Sequence, residues 1–178
     1  MERKLIIAAK KGDREAFSRL VRTYLNKIYK TAYFFLKNVD DAQDVCQITF
    51  INAYRHIKTF NETQSFFPYL YRIAKNTCIN HLRKKHSITL PDPEQIESDP
   101  EYSPEQTAIK NYTIETVDRA LARLPENSKE ILMLKYWNDL SYREIAEALS
   151  IPEGTVMSRL FYAREKLKNT IIQLEGSK

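Results

Sequence analysis

Apolar positions recur at helical spacing along nearly the whole chain, and turn residues cut the pattern into segments. Gly12-Asp13 ends a short first helix and starts a second, with glycine as terminator and aspartate as N-cap; Ala16, Phe17, Leu20, Tyr24 and Ile28 then share one face. Asn38-Val39-Asp40 makes the next turn, and Asp40 is expected to cap a third helix running to about Ile57. Its apolar side is expected to include Val45, Ile48 and Phe50, while Asp41, Asp44 and Gln47 form a polar stripe. A fourth helix is predicted over Ser65 to Lys85. Phe66, Leu70, Ile73, Ala74 and Thr77 gather on one side of it, Arg72, Lys75, Asn76 and Arg83 on the other, with Asn80 at the margin.

The pattern fails between Ser87 and Pro104, where four prolines stand among acidic and serine residues. Such a stretch cannot bury enough apolar surface to offset the entropy of ordering, so it reads as a flexible acidic linker between two helical domains. Beyond it, Ser103-Pro104-Glu105-Gln106 is a capped helix start, and the helix runs to Leu124 with Val117, Ala120, Leu121 and Leu124 buried. Leu124-Pro125 opens another helix that ends at the Trp137-Asn138-Asp139 turn. Ser141-Tyr142-Arg143-Glu144 is a full capping box opening a short helix through Leu149; Ser150-Ile151-Pro152 turns the chain into a last helix to about Leu174. The expected fold is all-α. Two small helical domains, residues 1–86 and 105–178, flank the linker at 87–104, and the second carries a helix-turn-helix.

Composition narrows the function. Three scattered glycines exclude a Walker A loop or a dinucleotide fingerprint, both of which need clustered glycines. His56, His81 and His86 have no metal-ligand spacing, and Cys46 and Cys78 stand apart, so no metal or cofactor is expected and both thiols read as small core residues. No paired carboxylates or nucleophile–base constellation stands out, so no enzymatic activity is expected. There is no apolar run long enough to span a membrane and no signal-peptide core after Met1-Glu2-Arg3-Lys4, which leads to a cytoplasmic expectation with no membrane insertion.

Charge divides the chain. Residues 1–86 carry 17 Lys/Arg against 7 Asp/Glu, residues 87–110 carry 1 against 6, and residues 111–178 carry 10 against 10. The positive field therefore sits on the first part, as a polyanion-binding surface requires. There the basic side chains of the fourth helix alternate with amides able to read base edges. The aromatics Phe60, Phe66, Phe67, Tyr69 and Tyr71 lie beside them, with Phe60 the best loop candidate for stacking on an unpaired base. On the last helix, Val156, Leu160, Ala163 and Leu167 form a narrow apolar sector. Ser158, Phe161 and Tyr162 lie opposite, with Thr155 and Arg159 on one flank and Met157 and Arg164 on the other. The arrangement offers a base-facing centre edged by phosphate-reaching arginines.

Three ordered blocks of residues resemble the extracytoplasmic-function group of bacterial sigma factors in the sigma-70 family, over nearly the whole chain. Asp41-Ala42-Gln43-Asp44-Val45-Cys46-Gln47-Ile48-Thr49-Phe50 is similar to that family's core-polymerase-binding helix. Tyr69-Leu70-Tyr71-Arg72-Ile73-Ala74-Lys75-Asn76, with Asn80 and Arg83, is similar to its minus-ten helix. Leu124-Pro125, then Leu140 to Ala146, then Gly154 to Leu160 with Ala163-Arg164, resemble its minus-thirty-five helix-turn-helix domain.

The resemblance implies a promoter-specificity subunit of RNA polymerase. Asp41, Asp44, Gln47 and Phe50 would meet core polymerase. Phe60, Asn61, Thr63, Arg72, Lys75, Asn76, Asn80 and Arg83 would hold the melted minus-ten element, and Thr155, Ser158, Arg159, Phe161, Tyr162 and Arg164 would read the minus-thirty-five element. It implies too an anti-sigma factor as partner and a linker threading toward the polymerase active centre. Departures from the family pattern are Tyr69 for its usual Trp, Asn80 for an acidic residue, and Met157 and Tyr162 at positions that are commonly basic. A stand-alone helix-turn-helix regulator is the alternative, and it leaves the third and fourth helices unexplained.

Overall fold

The structure is a computed structural model that describes residues 2–88 and 107–176, and among the described residues it contains helices and no strand. The first unit comprises α1 (Glu2–Lys10), α2 (Arg14–Leu36), α3 (Val39–His56) and α4 (Phe66–Ile88), with a single 3-10 turn at Ile57–Thr59. Gly12 takes a positive φ of 98°, and the Asp13 carboxylate accepts from the Ala16 N–H at 3.0 Å, so the first turn forms as expected. The cap of α3 is Asn38 rather than Asp40: its side-chain oxygen accepts from the Asp41 N–H at 2.9 Å. Asp40 instead lies in the first turn, where a carboxylate still complements the helix dipole.

α2 packs against α1, α3 and α4, and α3 packs against α4. Their shared interior holds Leu20, Ile28, Phe66, Phe67, Leu70 and Tyr71, each essentially without solvent contact. α4 continues past its expected end at Lys85, through Ser87 to Ile88. The rest of the expected linker, and the Ser103–Gln106 cap, lie outside the described residues.

The second unit comprises α5 (Thr107–Ala122), α6 (Glu126–Leu132), a π-helical turn at Met133–Trp137, α7 (Tyr142–Leu149) and α8 (Glu153–Gly176). α8 is its spine, contacted by α5, α6 and α7, and Ile131, Leu134, Leu140, Ile145 and Leu160 fill its interior. The capping box is present in full: Ser141 Oγ accepts from the Glu144 N–H at 3.2 Å, and Glu144 Oε2 accepts from the Ser141 N–H at 2.9 Å. Ser150 at φ 54° ends α7 in the left-handed region, with Ile151 N–H returning to the Ala146 carbonyl. The two units meet where α7 lies on α4 and the π-helical turn lies on α2. Most of their buried apolar side chains form one continuous cluster, and a smaller one of Ala32, Leu36, Ala42, Val45 and Cys78 lies within the first unit.

Candidate polymerase and nucleic-acid interfaces

Three surfaces carry the expected functional residues. The first is α3. Ala42, Val45, Cys46, Thr49, Phe50 and Ala53 make one buried stripe, and Asp44, Gln47, Ile48 and Ile51 make the opposite, exposed one. Ile48 is therefore not in the core as expected; it is 42% exposed, and Ile51 is 51% exposed. Phe50 is buried, as its place on the apolar side leads one to expect, and reaches the surface only as part of a hollow shared with Leu25, Tyr29, Gln47 and Ile51. Asp41 is occupied within the fold: Lys85 Nζ lies 3.0 Å from Oδ2 and His81 Nε2 lies 3.1 Å from Oδ1. The hydrogen bond from Lys85, aided by His81, holds the Asp41 carboxyl below the usual carboxylate range. Asp41 thus ties α3 to α4, and Asp44 and Gln47 are left open to a partner. The exposed apolar pair was missed in the sequence, although Asp44, Gln47, Ile48 and Ile51 stand at i, i+3, i+4 and i+7 and share a face.

The second surface is α4 with the loop before it. Phe60 is not available for stacking. It is 4% exposed, edge-on to Phe66 with ring centroids 5.3 Å apart and 4.7 Å from Tyr69, because an aromatic of this size lowers its free energy more by completing the core. Phe66, Phe67 and Tyr71 are buried as well, and Tyr69 alone of the expected aromatics is partly exposed. Asn61 and Thr63 do face solvent. The Asn61 side-chain oxygen accepts from Thr63 N–H at 3.1 Å and from its hydroxyl at 2.8 Å, which fixes the loop. Lys10 clamps the same loop through the Phe60 carbonyl at 2.9 Å and the Glu62 carboxylate.

Along α4, Arg72, Asn76, Asn80 and Arg83 form a continuous exposed stripe at i, i+4, i+8 and i+11, with Lys75 half-buried beside it. Asn76, Asn80 and Arg83 face open solvent. Arg72 and Lys75 instead touch the second unit: Arg72 Nη1 donates to the Glu147 carbonyl at 3.2 Å, and Lys75 Nζ donates to the Glu130 carboxylate.

The third surface is α8. Val156, Leu160 and Ala163 are buried against the unit's interior, and Met157, Phe161 and Tyr162 project at 56%, 58% and 70% exposure. Phe161 and Tyr162 support each other edge-on at 5.5 Å. Ser158 and Arg159 are exposed and Thr155 is half-buried. The Ser158 hydroxyl bonds back to the Thr155 carbonyl at 3.1 Å, and Arg164 Nε to the Leu160 carbonyl at 3.2 Å, so both lie along their own helix. The exposed aromatics are what distinguishes it from an ordinary helical hairpin.

Residues 20–88 match the family model described as Sigma-70 region 2, and residues 114–167 match that described as Sigma-70, region 4. The ECF RNA polymerase sigma factor SigW of Bacillus subtilis (strain 168) is 36% identical, over 98% of this chain and 98% of its own. The chain belongs to the extracytoplasmic-function sigma factors of the sigma-70 family. The activity of that family is RNA polymerase sigma factor activity, which initiates transcription.

Two more relatives agree. The RNA polymerase sigma-H factor of Pseudomonas aeruginosa is 35% identical over 96% of this chain and 93% of its own, and the ECF RNA polymerase sigma-E factor of Escherichia coli (strain K12) is 34% identical over 94% and 92%. Among solved structures, CnrH in complex with the cytosolic domain of CnrY shares the fold with a TM-score of 0.71 at 23% identity, covering 99% of both chains. The sigma factor RpoE in complex with the anti-sigma factor NepR from Bartonella quintana shares it with a TM-score of 0.64 at 20% identity, over 87% of this chain and 96% of that one.

Region 2 thus spans α2 to α4, and region 4 spans most of α5 to α8. Among the described residues no group of His, Cys, Asp or Glu is placed to hold a metal, and no helix is long and apolar enough to cross a membrane. Burial pushes the Cys46 thiol up to about 11 and the Cys78 thiol up to about 12, so both are held as unreactive thiols.

Proposed function

We propose that this sigma factor divides its work among the three surfaces. The exposed stripe of α3, Asp44 and Gln47 with Ile48 and Ile51, docks on core polymerase. The α4 stripe, Arg72, Lys75, Asn76, Asn80 and Arg83, holds the single-stranded minus-ten element together with Asn61 and Thr63 of the preceding loop. The amides meet base edges and the cations meet phosphates. α8 enters the major groove of the minus-thirty-five element, with Ser158, Phe161 and Tyr162 toward the bases and Thr155, Arg159 and Arg164 toward the backbone.

The observation that supports this division best is the coincidence of all three faces with the three blocks that resemble the family, on a chain similar to sigma factors along almost its whole length. No chemistry is assigned to the chain itself, and its place of work is the cytoplasm, where polymerase and promoter are. The domain limits proposed are residues 1–86 and 105–178, with the acidic segment between them as tether. An anti-sigma factor is the proposed inhibitor, acting by covering the surfaces that must meet polymerase.

Promoter-selective transcription tests the reading. Core polymerase alone should give no specific transcript from a library of genomic promoter fragments, and core polymerase with this chain should initiate from a defined subset. A chain that binds duplex DNA tightly by itself and never co-purifies with core polymerase would instead be the stand-alone regulator.

A further inference from the structure

α1 lies ahead of the residues matched by the region 2 model, and none of the three surfaces uses it. It is nevertheless tied to both ends of the loop between the 3-10 turn and α4. At the first end, Lys10 Nζ donates to the Phe60 carbonyl at 2.9 Å and to the Glu62 carboxylate, across 50 and 52 residues of chain. At the second end, Glu2 Oε1 accepts from the Phe66 N–H at 3.2 Å. A side chain of α1 thus caps one of the N–H groups that the first turn of α4 leaves without a carbonyl. Tyr24 of α2 steadies that cap: burial, with the Glu2 charge beside it, raises its phenol above the ordinary value and keeps it a donor to the Glu2 carboxylate. The seat beneath is apolar, because Ile6 and Ala9 of α1 are buried in the core of the first unit.

Between these anchors Asn61 and Thr63 are exposed and bonded to each other, and the Gln64 N–H returns to the Asn61 carbonyl at 3.0 Å. Glu62 stands between them in sequence, where an unheld carboxylate would repel the phosphates of an approaching strand. The hydrogen bond from Lys10, foremost, holds the Glu62 carboxyl below the usual carboxylate range, and the same ammonium neutralises it. We propose that α1 is a brace for base reading: Lys10 and Glu2 are positioning residues that hold residues 60–66 in the shape in which Asn61 and Thr63 meet an unstacked minus-ten base, without touching DNA themselves. A loop ordered in advance need not be ordered by the DNA. Without the brace, the ordering cost falls on the right base alone, because a wrong base makes no contact that orders the loop. Base discrimination is therefore lost, while the phosphate contacts of α4 are untouched. The proposal rests on the minus-ten assignment of this loop, so a variant of the loop itself accompanies those of the brace.

The experiment uses holoenzyme assembled from core polymerase and the full chain as wild type, Lys10→Met, Lys10→Arg, Glu2→Ala, Glu2→Gln and Asn61→Ala/Thr63→Ala. The probe is a barcoded library of one promoter from which the wild type initiates, with its minus-ten bases randomised, and transcript counts give the base preference at each position. Lys10→Met and Glu2→Ala should flatten the preference at the positions that Asn61→Ala/Thr63→Ala flattens, lowering the best-to-worst ratio about three- to tenfold, the worth of one hydrogen bond. Lys10→Arg and Glu2→Gln keep a donor and an acceptor, and should restore the ratio. Hydrogen exchange of the free chain gives a readout without DNA: the Thr63 and Phe66 amides should exchange faster in Lys10→Met and Glu2→Ala, and unchanged exchange would overturn the brace. A part in folding alone would lower transcription from every library member alike, so an unmoved ratio would overturn it too, whatever the yield. So would a fall of about one in the salt slope of promoter binding by Lys10→Met, which would make Lys10 a phosphate contact. If only Asn61→Ala/Thr63→Ala flattens the preference, the minus-ten assignment of the loop stands and the brace falls. If that variant flattens nothing, the assignment itself falls and takes the brace with it.

Discussion

Ile48 and Ile51 offer a sharp test of the proposed polymerase-facing surface, because nothing inside the fold accounts for their exposure. Burying an isoleucine side chain completely is worth about 1.5–3 kcal/mol. With 42% and 51% of these residues open to solvent, roughly half of that gain remains for a partner to realise. Truncating both to alanine should therefore weaken core-polymerase binding by about 2 kcal/mol, or about thirtyfold in Kd.

Stability should barely move. The packed halves of the two side chains are lost, but alanine is the better helix former by a few tenths of a kcal/mol at each position, and surface changes of this kind are usually small. The assay is a titration of labelled core polymerase with wild type and the Ile48→Ala/Ile51→Ala variant, alongside thermal melts of both. A Kd within about threefold of wild type would refute the reasoning, since a docked α3 face cannot leave two half-exposed isoleucines wet without forfeiting their burial. A variant that melts many degrees lower would refute it differently, by showing that these side chains belong to the core.

Asn76→Ala should lower open-complex formation about three- to tenfold, the worth of one or two amide hydrogen bonds, with core binding unchanged; permanganate footprinting of promoter thymines reads the first and co-purification the second. Tyr162→Ala should change base preference at one or two minus-thirty-five positions in a binding-site selection, and Arg164→Ala should weaken all sites alike and reduce the salt slope by about one. Asp41→Asn should destabilise the fold by less than about 1 kcal/mol near neutral pH. Because the folded Asp41 carboxyl lies below its unfolded value, its contribution is present above the unfolded value and is lost as pH falls through the folded one. Melting curves of wild type and Asp41→Asn should accordingly converge as the solution is acidified below about pH 4.

Helix positions were legible wherever a local rule determines them. Asp13, the Ser141–Glu144 box and the Ser150–Pro152 turn are each specified by residues within one helical turn, and each formed as expected. The α3 cap shows the limit of such rules. Asn38 and Asp40 are both good N-caps, and α3 starts two residues earlier than the aspartate alone would suggest, which makes room for Asp41 to reach Lys85 and His81 on α4. Ile48 and Phe60 misled for opposite reasons. Apolar character predicts burial only statistically, so an isoleucine that stays exposed looks like core, and an aromatic in a loop looks available until its neighbours close over it. Of the α8 face, the exposure of Phe161 and Tyr162 did follow from periodicity, because four apolar residues at one sector leave only one way for that helix to pack.

What periodicity could not reveal is that part of the basic stripe of α4 meets the second unit. A helical wheel places Arg72, Lys75, Asn76, Asn80 and Arg83 on the solvent side of the first unit, and within that unit the placement is right. Glu130 lies 55 residues from Lys75, and in its own helix it reads as an unremarkable acidic residue beside Ile131 and Leu132. Its partners Tyr71 and Lys75 lie on the other unit, so its pairing is a property of the contact between units. The same reasoning explains why Arg72 and Lys75 are engaged by the second unit while the two amides are not. Lys75 and Arg72 can be satisfied by a carboxylate and a carbonyl as readily as by phosphates, whereas Asn76 and Asn80 meet no such partner on the second unit and remain presented to solvent. Charge neutralisation is thus met partly inside the fold, and the two amides stay presented to solvent.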